Sequence, residues 1–261
     1  MMDLAFCAEA YLYIEQNGMC EVKQSHDALV SLLGYVAANK DMFSDCIDAY
    51  SREDAFGVTR TVLRRMVWEE SAQAIWLDHF VSDIIGARYT HNGAVAASVF
   101  RLSITSLSQM AAIGLLYDSS YTVFMAALLR TSSTDLTQFI WRLLQRESGH
   151  FRFFSEWALR LAKEGGDSVK ELRAALLANW AGAFAWYGPP DDVLMEELRT
   201  AGYMDATPDI LRQTLAAHIA PVISAMRLRL PLIQRRGNVW ENDAPLDWRC
   251  WIPETRSLAA E

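Results

Sequence analysis

The stretch Thr134–Glu164, TDLTQFIWRLLQRESGHFRFFSEWALRLAKE, decides the fold. Its apolar residues Ile140, Leu143, Leu144, Phe151 and Phe154 recur every three or four positions, which is the period of one helix face and not the alternation of a strand. Ser133, Thr134 and Asp135 supply cap and first-turn chemistry, and Gly165-Gly166-Asp167 closes this helix and opens the next. Two polar residues stand on the apolar stripe: Glu147 and, one turn on, His150, in the order Glu-Ser-Gly-His. Three residues apart on a helix, they point the same way. A helix that aims a carboxylate and an imidazole at its own core needs an explanation, because an unpaired buried charge costs several kcal/mol.

Outward from that helix, glycine and proline stay sparse until Gly188, and the same period predicts helices over 3–16, 24–45, 52–85, 93–130, 168–187, 191–201 and 208–226. The run Tyr187-Gly188-Pro189-Pro190-Asp191-Asp192 is a stop followed by an acidic helix start, with both aspartates near the positive end of the new dipole. Beyond Pro231 the period fades. Pro245, Pro253 and the tryptophans at 240, 248 and 251 predict an irregular tail over 232–261, packed on the body by its aromatics. Long helices, short turns and strong apolar stripes describe an antiparallel bundle, so we expect an all-α fold forming one domain over 1–261.

Composition agrees with one large core, since 52% of the 261 residues are hydrophobic and 11% aromatic. No run of eighteen uninterrupted apolar residues occurs, and the start carries Asp3, Glu9 and Glu15 instead of a basic leader. A cytoplasmic protein that spans no membrane is the expectation. Cys7, Cys20, Cys46 and Cys250 are scattered and show no C-x-x-C spacing, which indicates neither a zinc clamp nor a disulfide framework. A formal charge of −8 argues against a nucleic-acid partner. The basic group Arg227, Arg229, Arg235 and Arg236 reads as solvated surface, with a phosphorylated handle or an acidic partner as the minority reading.

Three further helices also carry a polar group on the core stripe. In 93–130, Asp118 follows Ala111, Gly114 and Leu115; in 52–85, Glu70 and Gln73 follow Leu63, Met66 and Val67; in 24–45, Lys40 follows Leu29, Leu32, Leu33 and Val36. Carboxylates from two helices and a Glu-x-x-His from each of two others form a two-metal carboxylate site, and hard oxygen ligands with imidazole suit iron or manganese. Here one Glu-x-x-His is intact, the other reads Glu70-Ser71-Ala72-Gln73, and a lysine stands where the first carboxylate belongs. The alternative is a satisfied buried polar network without metal.

Several motifs together carry a family likeness. Ile113-Gly114-Leu115-Leu116-Tyr117-Asp118, Leu128-Leu129-Arg130-Thr131-Ser132, Arg146 to Arg152, Phe184 to Asp191, Asp209 to Gln213 and Ile219-Ala220-Pro221 resemble the catalytic subunit of phenylacetyl-CoA epoxidase, over roughly residues 30 to 232. The chain also resembles the non-catalytic sister subunit of that complex. The resemblance implies a ferritin-like four-helix bundle with additional C-terminal helices. For the catalytic subunit it further implies a di-iron monooxygenase of phenylacetate catabolism that epoxidises an aromatic acyl-CoA thioester.

By the same resemblance Glu70, Asp118, Glu147 and His150 match metal ligands, while Lys40 and Gln73 replace a glutamate and a histidine. Two readings follow. In the first, one or two iron ions are held by Glu70, Asp118, Glu147 and His150, with Lys40 and Gln73 in catalytic roles beside an apolar or aromatic acid or its thioester, and with a reductase as electron donor. In the second, Lys40 takes the place of the metal. The chain is then either a scaffolding subunit, as the iron-free sister subunit is, or a lysine-dependent enzyme. Both imply a homo- or hetero-oligomer. Asp41 beside Lys40 is an alternative ligand, on a less complete stripe.

Glu69, about 100 degrees round the helix from Glu70, reads as solvent-facing or as a partner behind the ligands. His79, His218, Glu156 and His26 read as surface or capping groups. The tryptophans at 68, 76, 141, 157, 180 and 186 read as core filling, some of them able to line a substrate cavity. No Ser-His-Asp arrangement, phosphate loop or dinucleotide fingerprint is present.

Overall fold

The computed structural model describes residues 19–53, 57–91, 104–131, 133–228, 230 and 233–259. The helix expected over 3–16 and the first part of that expected over 93–130 lie outside the described residues. The rest is an all-α, ferritin-like bundle: α1 (Met19–Glu53), α2 (Gly57–Ile85), α3 (Leu107–Leu128), α4 (Thr134–Glu164), α5 (Gly166–Ala185), α6 (Val193–Thr200) and α7 (Pro208–Met226).

Side-chain caps set most of the helix starts. Ser106, Ser133, Asp192 and Thr207 each accept a hydrogen bond from a backbone N–H one turn in, at the heads of α3, α4, α6 and α7. α1 runs antiparallel to α2, with the Ser44 hydroxyl donating to the Val67 carbonyl and meeting the Ser71 hydroxyl at 2.7 Å. α3 is the central rod. Gly114 lets it close on α4, since a Cβ there would lie 2.4 Å from the Phe154 ring. It runs parallel to α5, with Ser108 donating to the Ser168 carbonyl and Ser120 to the Ala183 carbonyl.

By length and composition α3 could cross a membrane, with a mean hydropathy of 1.3 over its most apolar window, yet 83% of that window is buried by its neighbours. An all-round apolar helix is what the centre of a bundle requires.

Two expectations change. The stretch read as irregular holds two antiparallel hairpins, Ile233–Arg236 (β1) with Val239–Asn242 (β2), and Trp251–Ile252 (β3) with Ser257–Leu258 (β4), with a short 3-10 turn at Trp248–Cys250. The pattern concealed them, because β1 reads Ile-Gln-Arg-Arg and lies mostly in solvent. Trp68 and Trp141, read as core, are 63% and 55% exposed, whereas Trp180 and Trp186 are buried. Arg235 and Arg236 are exposed, and Arg236 pairs with Glu241 on the facing strand at 3.3 Å.

Candidate metal centre

Four helices bring their polar residues to one interior point. Lys40 comes from α1, Glu70 and Gln73 from α2, Asp118 from α3, and Glu147 and His150 from α4; all six are buried. The Lys40 Nζ lies 2.9 Å from Glu70 Oε2, 3.1 Å from Glu147 Oε2 and 3.8 Å from Asp118 Oδ1. The His150 Nδ1 lies 2.8 Å from Glu70 Oε1, 3.5 Å from Glu147 Oε2 and 3.9 Å from Asp118 Oδ1. Asp41 does not join them. Its side chain is half exposed and turns to His91, 3.4 Å away, which in turn bonds Asp78, so the more complete stripe identifies the inward residue correctly.

Three residues complete the cluster. The Glu69 carboxylate takes a hydrogen bond from His150 Nε2 at 2.9 Å and another from Arg65 Nε at 2.8 Å; Arg65 itself is 77% exposed. Glu69 is therefore the partner behind His150 and not a solvated charge. Gln73 Nε2 donates to Glu147, and its carbonyl accepts from the Tyr121 hydroxyl at 3.2 Å. The Tyr121 ring faces Lys40, with Nζ 3.7 Å from the ring centroid, a cation–π contact. Tyr121 was absent from the sequence reading, although it sits one turn beyond Asp118 on the same inward row, which was the available signal.

From Arg65 to Glu147 the contacts alternate in sign: Arg65, Glu69, His150, Glu70, Lys40, Glu147. Such alternation makes burial tolerable, since each ion neighbours its opposite. Burial disfavours the Lys40 ammonium, but Glu147 and Glu70 outweigh that and hold it well above the ordinary lysine value. Burial likewise works against a charged His150, and hydrogen bonds to Glu147 and Glu70 with their charges push it up to about 12. Glu147 meets the same burial penalty, yet Lys40 and His150 keep it well below the usual carboxylate range. Burial and the Glu147 charge push the Asp118 carboxyl well above that range. Among the described residues, neither Asp118 oxygen has a hydrogen-bond partner.

The donor set divides the question of fit. Glu70, Asp118, Glu147 and His150 each offer one ligand atom, and these atoms lie within 4.8 Å of one another, a grouping compatible with a single ion. The Lys40 ammonium stands against the oxygens a second ion would need, and the Gln73 amide presents an N–H where a histidine would present a lone pair.

Beside Lys40 a cavity of about 20 Å³ is lined by Phe43, Tyr117, Asp118, Tyr121 and Trp186, room for about one water. A larger cleft, about 330 Å³, lies away from the carboxylates, between Pro190, Arg212, Glu241 and Trp248. Its Arg212 is already bonded to the Gly188 carbonyl and to Asp209.

A family model of the phenylacetic acid catabolic proteins matches residues 85–243, more than half of the chain, including Asp118, Glu147 and His150 but not Lys40, Glu70 or Gln73. Among curated proteins none matches. With α3 to α7 and half of the cluster inside the matched stretch, the chain belongs to the family of phenylacetic acid catabolic proteins.

Proposed function

We propose that the chain is an oxygenase-like enzyme of this family with a variant metal site, acting within a multi-component oxygenase on an apolar or aromatic acid or its thioester. The observation that carries this reading is the convergence of three carboxylates and one imidazole, all buried, with ligand atoms within 4.8 Å. Glu70, Asp118, Glu147 and His150 would hold iron, which supplies a place for dioxygen to bind and be reduced with electrons from a separate reductase. Glu69 orients His150 by holding Nε2, the usual service of a carboxylate to a metal-binding imidazole. Lys40 and Gln73 line the same space from the other side and hold Glu147 in place.

The small cavity beside Lys40, as its side chains stand, has room for about one water and not for an aromatic ring. The test is iron analysis of protein made in iron-rich medium, followed by reduction and exposure to dioxygen with an aromatic acyl-thioester present. Bound iron and an oxidised thioester are expected. A protein that takes up no iron under any loading condition would remove the reading.

One specific observation favours a second reading. Lys40 already neutralises Glu70 and Glu147 at ion-pair distances, which suits a metal-free subunit whose cluster acts as a clamp and which scaffolds a catalytic partner. A nucleophilic role for Lys40 is the weakest of the three, because its carboxylate neighbours keep it charged.

A further inference from the structure

Glu70 and Glu147 stand between two positive groups. One Glu70 oxygen meets Lys40 and the other meets His150; Glu147 Oε1 meets Gln73, and its Oε2 faces both Lys40 and His150. Carboxylates that face two ways are what bridge a pair of ions held roughly 3.5–4 Å apart. Here one of the two positions belongs to an ammonium. The other is bounded by His150 Nδ1, Glu70 Oε1, Asp118 Oδ1 and Glu147 Oε2, and at Asp118 both oxygens are buried without a hydrogen-bond donor.

Charge supports the same division. Four carboxylates and two divalent ions sum to zero. Three carboxylates, one divalent ion and one ammonium also sum to zero, so exchanging a glutamate for Lys40 while dropping one ion leaves the buried site neutral. An ammonium beside a divalent ion is a milder neighbour than a second divalent ion in the same place would be. Lys40 is also held there. Tyr121 lies under it, and Tyr121 fixes the Gln73 carbonyl so that the amide N–H is turned towards Glu147.

We propose that Lys40 is a built-in replacement for one of two cations, leaving a one-ion site formed by Glu70, Asp118, Glu147 and His150. The proposal rests on the reading of the chain as a metal-carrying oxygenase-like protein and fixes its metal count.

The experiment is anaerobic titration of the full chain with Fe(II), and separately with Co(II), counting ions per chain by elemental analysis and following the visible bands of Co(II). One equivalent is expected in the wild type, none in H150A, one in K40M, and two in K40E/Q73H. Two equivalents in the wild type would overturn the proposal, as would one equivalent surviving in H150A. No uptake by the wild type with one equivalent in K40M would show that Lys40 blocks the ion, overturning the proposal while sparing the four-ligand reading. No uptake by either would remove that reading and the proposal with it. If the double variant fails to fold, the wild-type, K40M and H150A counts still decide.

Discussion

Lys40 concentrates the energetics of the cluster at a single atom. Its Nζ touches two buried carboxylates and an aromatic face, and it shares the neutralisation of Glu70 and Glu147 with His150 on their other side. Taking one partner from a buried ion pair costs about 3–5 kcal/mol, far more than the pair itself contributes. K40M, similar in length and without charge, is therefore expected to lose stability of that order in the metal-free protein, read from urea denaturation. A loss under about 1 kcal/mol would mean that water reaches the carboxylates and the cluster is not sealed. Tyr121 is a milder case, since Y121F removes one hydrogen bond and leaves the Gln73 carbonyl buried and unpaired. It should cost about 1–3 kcal/mol and leave the fold intact by circular dichroism.

At the scale of elements, two glycines of the central helices make a matched pair. Gly114 of α3 has Phe154 of α4 against it, and a methyl group there would come within 2.4 Å of the ring. G114A should therefore destabilise by about 1–3 kcal/mol through overpacking, because rings and backbones must shift together. Gly149 sits in α4 between the two site residues, and among the described residues nothing lies within 4 Å of where its Cβ would stand. G149A should instead stabilise by up to about 1 kcal/mol, the ordinary helix-propensity gain, as read from denaturant midpoints. Equal losses in both would show that α4 does not pack as described.

The helices were legible for the same reason that these glycines matter: a 3.6-residue stripe is dictated by what each rod buries, and α4 keeps its apolar stripe on both sides of Glu147 and His150. Lys40, Glu70, Asp118, Glu147 and His150 were legible because a charge on such a stripe has nowhere to go but the centre. The β1–β2 hairpin was not legible from hydrophobic alternation, since β1 buries almost nothing; its readable mark was Gly237 in the turn, where φ is +63°. Glu69 fell between two readings because a helical wheel gives its direction, while only the antiparallel neighbour α4 decides what lies there. The exposed Trp68 and Trp141 show the converse limit, as composition favours burying an indole without saying which rod will cover it.

For the whole molecule the cluster makes stability a function of pH with an unusual sign. His150 in the folded protein holds its proton up to about pH 12, against an ordinary 6.5, so its contribution is whole below 6.5 and drains away as pH rises above it. Asp118 is also raised, so the fold keeps a proton that the unfolded chain releases above about 3.8, and this too removes stability as pH climbs. Glu147 is depressed and acts the opposite way, its contribution present above 4.5 and lost as pH falls below. The metal-free protein should therefore be most stable in the mildly acidic range, between the loss of the Glu147 contribution and the loss of the His150 contribution. From pH 6.5 upward it should weaken by up to about 1.4 kcal/mol per pH unit for each proton the fold retains. A bound divalent ion would take over the neutralisation that those protons provide, so the ion-loaded protein should show a flatter curve between pH 6.5 and 9. Urea midpoints at pH 5.5, 7, 8 and 9, with and without one equivalent of Co(II), measure both slopes. A metal-free midpoint that rises from pH 6.5 to 8 would mean that the fold retains neither proton, and the alternating ion chain would then not be what holds α1, α2 and α4 in register.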